Sequence, residues 1–382
     1  MSEDLFDLES VDISALPSTS LQGDLEIPTE DPYLSISSSH LSQFLQLASK
    51  FSYKSGLDPV SKSVSISVSP SKDSVICRAT NFDSYLEVEL PLNKPSNTPI
   101  DHALIFYTST LMKLIKLSDD FITFSQKDST QLPAILVMGE WVPVEPVTLD
   151  PNLFINQDPV VNEQGVEPPP LKDLISIASS GVSPKDRMIS VTKTGIVLTH
   201  LFSVIQLPYT SPITYSLTST EAGIVKALTA NAQSLTISLT ESDLPRLVFK
   251  TPLAKLCLIH RVPEQVPEID LPRFSVSFNV SALTQILRLS ENLPSSTGNI
   301  QFKYDNGLFI TFLSKLAQTQ FPIQTECLGN VVPLNSSTIQ SKVLAMMFKP
   351  LVSEGLSLTW NNTTLYLTSS SGKAQILFES EN

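Results

Sequence analysis

The polar and apolar positions change period repeatedly along this chain. In LSQFLQLASKF, Leu41, Phe44, Leu45, Ala48 and Phe51 return every three or four residues, whereas 62–68, 74–80 and 84–90 alternate. This predicts a fold that begins near Tyr33 with a short strand, then a helix over 41–51, then three strands. The last two meet in ATNFDSYLEVELPL (79–92), a hairpin whose Asn-Phe-Asp bend contains neither Gly nor Pro.

The same order returns. HALIFY, the helix STLMKLIKLS (109–118), FITFSQ, AILVMG and WVPVEP complete a first round. A Pro-rich polar segment, INQDPVVNEQGVEPPP (155–170), reads as a linker. The second round holds helix LKDLISIASSG, strands MISVTK, GIVLTH, FSVIQLPY and ITYSL, helix STEAGIVKALTAN, and strands near 234–240, 246–250 and 255–262. Thr218 and Glu221 have capping-box spacing there. The third holds FSVSFN (274–279), helix ALTQILRLSEN, strands NIQFKY, LFITFL, AQTQFPI and VVPLN, helix STIQSKVLAMMF, and strands LSLTW, TLYLTS and AQILFE; Asp-Asn-Gly in YDNGLFI is its strong turn signal. The expected class is α+β, with an acidic disordered tail (1–31), domain 1 (32–153), linker (154–170), domain 2 (171–272) and domain 3 (273–382). Each domain would hold two strand-helix-strand units.

A length of 382 residues exceeds one core, and 41% hydrophobic residues suffice to fill several. Apolar runs fall well short of the roughly 18–20 residues of a membrane span, and MSEDLFDLES is acidic rather than signal-like. Cys77, Cys257 and Cys327 lie far apart without CxxC spacing, so neither a disulfide framework nor a zinc site is expected. A cytoplasmic protein fits, in host cytoplasm if viral.

The formal charge of −13 argues globally against nucleic acid, but its distribution reverses the argument. The six helix windows with their flanks hold Lys50, Lys54, Lys113, Lys116, Lys172, Lys185, Arg187, Lys226, Arg288, Lys342 and Lys349 against only Asp173, Asp186, Glu221 and Glu291. Lys and Arg suit exposed helix faces in any protein. Glu should then be enriched there as well, and it is not, which favours a shared basic face for phosphate.

No catalytic motif appears. His40, His102, His200 and His260 lack metal-ligand spacing, and there is no GxSxG, GxxxxGK[ST] or GxGxxG among only 12 glycines. Asp119-Asp120 reads as turn charge. No enzyme, cofactor or metal is expected.

Three tandem domains built from six repeated units resemble the bacterial-type DNA polymerase sliding clamp, or beta clamp, as a divergent member of a kind a phage could encode. ATNFDSYLEVEL is similar to that family's first-domain hairpin, and LIHRVPEQVPEID (258–270) to its Pro-containing connector. VVPLNSSTIQSKVLAMM (331–347) resembles its third-domain strand ending in Asn, here Asn335, followed by a helix. The resemblance implies a homodimeric ring, with helices lining the hole and antiparallel sheets outside. Such a ring encircles double-stranded DNA without sequence specificity and tethers a replicative polymerase. It also implies a pocket for short linear peptides of polymerase and clamp loader at Thr199, His200, Leu201, Pro263, Val266, Ile376 and Phe378. The family's Gly and Arg after the Thr, and its Met-Pro-Met-Arg ending, are missing. Trp141 and Leu289 fall at ring-closing positions, with ordinary core burial the alternative for each. Asp4-Leu5-Phe6 resembles the end of the linear motifs that enter such pockets; an acidic tail that happens to contain Leu-Phe is the other reading. A β-rich structural or adhesion module of a virion, with no DNA role, stays open as the alternative function, as does a monomeric herpesvirus-type processivity factor.

Overall fold

The computed structural model describes residues 33–50, 58–93, 102–118, 120–126, 132–180, 188–200, 203–230, 232–263, 266–292, 296–315, 318–352 and 355–378. The tail, Lys54, Lys185, Arg187 and Leu201 lie outside them. The first round runs β1 (Tyr33–Ser37), α1 (Ser38–Ala48), β2 (Ser63–Val68), β3 (Ser74–Thr80), β4 (Tyr85–Pro91), β5 (Leu104–Tyr107), α2 (Thr108–Ile115), β6 (Phe121–Ser125), β7 (Ala134–Val137) and β8 (Glu140–Pro143). The second comprises β9 (Val160–Val166), α3 (Lys172–Ser179), β10 (Met188–Val191), β11 (Gly195–His200), β12 (Ser203–Pro208), β13 (Tyr215–Thr218), α4 (Ser219–Thr229), β14 (Leu235–Thr240), β15 (Arg246–Lys250) and β16 (Ala254–Ile259). The third comprises β17 (Ser275–Phe278), α5 (Val280–Asn292), β18 (Ser296–Tyr304), β19 (Leu308–Ser314), β20 (Gln318–Ile323), β21 (Thr325–Leu328), β22 (Leu334–Gln340), α6 (Ser341–Phe348), β23 (Leu356–Trp360), β24 (Thr364–Ser369) and β25 (Gly372–Leu377).

The fold is α+β, and one rule of antiparallel pairing organises it. In each round the strand that opens one half joins the three strands of the other half: β1 with β6 and β5 with β2, β9 with β14 and β13 with β10, β17 with β23 and β22 with β18. Two further pairings, β4 with β16 and β12 with β25, join successive rounds. The result is an eight-stranded sheet, a nine-stranded sheet and two four-stranded sheets, β1-β6-β7-β8 and β20-β19-β18-β22.

The chain groups into two compact units, one running to Pro168 with Gly223–His260, the other Pro169–Ala222 with Arg261 onward. In the first, α1 packs beside α2 and against β1, β3, β4 and β6. Leu41, Phe44 and Leu45 of α1 and Leu111 of α2 are fully buried there, as the 3.6-residue period requires. Phe106 of β5 stacks on Phe124 of β6 at 5.7 Å between ring centroids. In the second unit, α5 packs beside α6, with Leu283, Ile286, Leu344 and Met347 buried.

Three elements differ from the sequence reading. Within the segment taken as a linker, Val160–Val166 is β9, the opening strand of the second round. It is an edge strand exposed along most of its length, so its side chains carry no alternation and only its main chain is committed. STIQ belongs to β22 rather than to the following helix: Ile339 pairs with Ile300 and is 1% exposed, and α6 starts at Ser341. Asn335 therefore sits inside a strand, not at its end. The short strand β21, TECL, pairs with β17 and had no counterpart in the sequence reading.

The turns explain how the chain manages with few glycines. At the first-round hairpin, Phe82 takes φ +68°, a conformation costly for a bulky residue. Ser84 N–H donates to Asn81 Oδ1 at 2.8 Å and Phe82 N–H to Thr80 Oγ1 at 2.9 Å. From β15, Arg246 reaches across to donate to the Phe82 carbonyl at 3.1 Å and to Asp158 Oδ2 at 2.6 Å, with its guanidinium 5.1 Å from the Tyr85 ring centroid. At YDNGLFI, Asn306 takes φ +55° and Asp305 N–H bonds to Gly307 O. The Thr218–Glu221 capping box forms in both directions, at 2.8 and 3.2 Å.

Arg246→Ala should lower the unfolding free energy by about 2 kcal/mol, because it strands Asp158 and a strained carbonyl. Lys250→Ala, which removes only an exposed pair with Glu163, should leave the urea midpoint in place.

Candidate partner-binding face and cationic helix surfaces

The cations and the apolar residues of each helix divide between opposite sides. Lys113 and Lys116 of α2, Lys172 of α3, Arg288 of α5, and Lys342 and Lys349 at either end of α6 are exposed, while Leu111 and Ile115, Leu174 and Ile177, Leu283 and Ile286, and Leu344 and Met347 of the same helices are buried. Lys50 and Lys226 are half-buried, and burial pulls the Lys50 ammonium below the usual lysine range. Lys349 Nζ lies 3.5 Å from Asp173 Oδ1, so one of the four helix-window acids offsets one of the cations.

A different surface forms on the nine-stranded sheet. Residues opposite each other in an antiparallel ladder share a face. Val197 lies opposite Gln206, Thr199 opposite Val204, Val204 opposite Gln375, Gln206 opposite Lys373, and Tyr366 opposite Gln375. These residues of β11, β12, β25 and β24 therefore make one continuous face. On it Val197, Val204 and Tyr366 cluster with Ile269, and Val266 packs against them. Val266 and Ile269 come from the segment that follows β16, which crosses this face as a strap. Arg261 fixes its start, its guanidinium donating to both Glu221 carboxylate oxygens at 2.7 and 2.9 Å and its carbonyl accepting the Ser216 N–H at 2.8 Å. Lys373 Nζ fixes its end, donating to the Ile269 carbonyl at 2.9 Å. Between these anchors Val262 is 63% exposed, and Pro263 and Val266 are half-buried. Beside Lys373 a groove of about 310 Å³ is lined by Thr194, Gln206, Pro208 and Thr368.

The corresponding segment after β8 behaves otherwise. Phe154, 1% exposed, plugs a cluster with Val60, Ile105, Val147 and Leu149. One strap seals its sheet; the other leaves apolar side chains within reach of solvent.

This geometry sorts the sequence candidates. Thr199, Pro263 and Val266 lie on the strap face, and Phe378 is half-buried just beyond β25, its N–H donating to Thr363 O at 2.8 Å. His200 does not join them. The strand alternation turns it to the helix side, where it is 3% exposed with Nε2 3.1 Å from Ser180 Oγ, and its buried Nδ1 has no partner. Ile376 is also on the wrong face: it opposes Leu365, not Tyr366, and at 1% exposure it is core. Trp141 is half-buried on β8, an outer strand of its sheet, and Leu289 is 38% exposed on α5, which packs on β18 and β19. Val197, Val204, Ile269, Tyr366 and Lys373 lie on or beside the same face and were not among the sequence candidates. The available signal was that SVIQLP and TLYLTS carry apolar residues on both faces, which requires cover on both. Cys77 and Cys257 are buried, which raises both thiols.

No protein-family model matches the chain, and no curated protein does. Solved structures do. The DNA polymerase III beta subunit of Thermotoga maritima superposes with TM-score 0.70 at 12% identity over 92% of this chain and 100% of that one. The sliding clamp of Pseudomonas aeruginosa bound to griselimycin gives 0.71 at 14% over 92% and 100%. The beta subunit of Streptococcus pyogenes gives 0.68 at 14% over 91% and 100%. The chain has the fold of these clamps along their whole length. Among the described residues, no helix is long and apolar enough to cross a membrane.

The two-face assignment predicts that Ile376→Ala costs about 2–5 kcal/mol in chemical unfolding, as a core truncation does. Thr199→Ala should stay within about 0.5 kcal/mol of wild type, as a surface change does.

Proposed function

We propose that the protein is a DNA sliding clamp: two copies close head to tail into a ring that encircles duplex DNA and tethers a replicative polymerase for processive synthesis. The observation that carries this reading is an unfinished pattern in the sheets. The fourth strand of one half joins the last strand of another at β4·β16 and again at β12·β25. The third pair of such strands, β20 and β8, stands at one edge of each of the two four-stranded sheets, unpaired on the outer side among the described residues. The fourth strands also share a mark. Pro91, Pro208 and Pro322 lie opposite Ser74, Gly195 and Phe309, in the sequences ELP, QLP and QFP. A proline without an N–H fits only where its nitrogen faces away from the inner neighbour. The three strands thus present equivalent outer edges, and β20 of one copy is suited to β8 of another. Trp141 and Leu289 then belong to the subunit interface.

Three tandem domains, six units and a twofold repetition would place every helix toward the hole, the arrangement in which the exposed lysines meet phosphate. Non-specific attraction by a few flexible cations permits sliding, since topology rather than affinity retains the ring. The strap face with Thr199, Pro263, Val266, Tyr366 and Phe378 would take the peptides of polymerase and loader. The protein would act in the cytoplasm, as a processivity factor rather than an enzyme. The virion-module alternative gains nothing from the fold.

The test is retention on nicked circular DNA with release after linearisation, by a species of dimer mass in light scattering. A monomer retained equally on both DNA forms would contradict it. Replacing Lys113, Lys116, Arg288 and Lys342 with Ala should flatten the salt dependence of DNA binding, the log–log slope dropping by about 0.9 for each phosphate that is no longer neutralised. Tyr366→Ala should weaken a peptide carrying Gln-Leu-x-Leu-Phe by at least about tenfold, measured by fluorescence anisotropy.

A further inference from the structure

The three junction edges can be compared donor by donor. Two-residue turns precede the last strands β8, β16 and β25, with closing pairs Val137–Glu140, Thr251–Ala254 and Ser369–Gly372. Counting from the closing pair, Trp141, Lys255 and Lys373 are equivalent, and so are Pro143, Cys257 and Gln375. Ladder hydrogen bonds alternate in side, so the closing residue and the one two further on bond inward. The two residues named in each strand face outward. The hydrogen bonds agree: Thr251 N–H bonds Ala254 O, Val144 N–H bonds Pro133 O, and on the outer side Glu89 N–H bonds Leu253 O at 2.8 Å.

At the first intrachain junction Lys255 opposes Glu87 and Cys257 opposes Tyr85. At the second, Lys373 opposes Gln206 and Gln375 opposes Val204. Each last strand therefore brings two main-chain donors to its junction. On β8 the second position is Pro143, which is exposed and has no N–H, so that strand brings only the Trp141 donor.

We propose that Pro143 leaves the seam between copies one main-chain hydrogen bond short of the intrachain junctions and thereby sets how fast that seam opens. This rests on the ring reading above. The subtraction is confined to the outer edge: Pro143 still sits opposite Ala134 of β7 without loss, because its nitrogen faces away from that strand. The fold of each subunit is untouched while the seam has one hydrogen bond fewer than either intrachain junction, and DNA gains an entry point.

The experiment uses the full-length chain, with donor- and acceptor-labelled preparations mixed and subunit exchange followed by energy transfer. Pro143→Val and Pro143→Ala each restore the N–H, one with a strand-forming side chain and one without. Both should slow exchange, by about fivefold for each seam that regains a bond. Exchange that is unchanged or faster in both variants, with wild-type thermal unfolding, overturns the seam assignment and leaves the ring standing. Absence of a dimer in wild-type light scattering removes the ring itself, and the seam with it.

Discussion

An antiparallel strand edge with free N–H and C=O groups must be paired, capped or hydrated, and this single requirement organises the molecule. Within the chain it is met twice by joining the outer strand of one half-domain to the last strand of another. The repetition extends to a proline that recurs on the outward-facing edge of all three fourth strands. A chain with three rounds and two internal junctions leaves one edge of each kind over. In the proposed ring, self-association would complete such a series, because the leftover edges differ from each other and resemble those already joined. In the proposed function, retention on duplex would need no base-reading site beyond that closure, because a ring would hold its duplex by topology.

Two chemistries are laid over this scaffold without interfering. Lys113, Lys116, Lys172, Arg288, Lys342 and Lys349 are exposed on or at the ends of helices, while the acidic excess that gives the chain its −13 charge is in the remaining segments and the tail. The sheet under the strap carries an apolar cluster instead, with the strap pinned at Arg261–Glu221 and Lys373–Ile269. The two pins hold the described ends of the strap while Val262, Pro263 and Val266 stay within reach of solvent, and in the proposed function this surface would take a short peptide. In the first round the bulk of Phe154 removes the equivalent opening.

Most of the fold was legible from period alone, because helices such as α1 and strands such as β4 bury one face each. What escaped did so for physical reasons. β9 is held by main-chain bonds at a sheet edge, so VVNEQGV shows no apolar alternation. STIQ fits a helical period with the residues after it, and only its ladder with β18 assigns it to a strand. For the candidate site, the family resemblance pointed to Thr199, Pro263 and Val266, which share the strap face, but could not tell which face His200 and Ile376 occupy. Face parity depends on the register of β11 and β25, which a fold likeness at 10–14% identity does not fix residue by residue. The junction edges were invisible in the sequence because their chemistry lies in the backbone, where only a proline leaves a trace.

The pairing of β8 with β20 is tested most directly by cysteine cross-linking. A chain carrying Trp141→Cys, combined in turn with Gln318→Cys or Gln320→Cys, should oxidise under mild conditions to a covalently closed dimer in at least one combination, identified by mass spectrometry of the 141–318 or 141–320 linkage. Monomer alone in both combinations, or a linkage joining position 141 to itself, would contradict the head-to-tail closure.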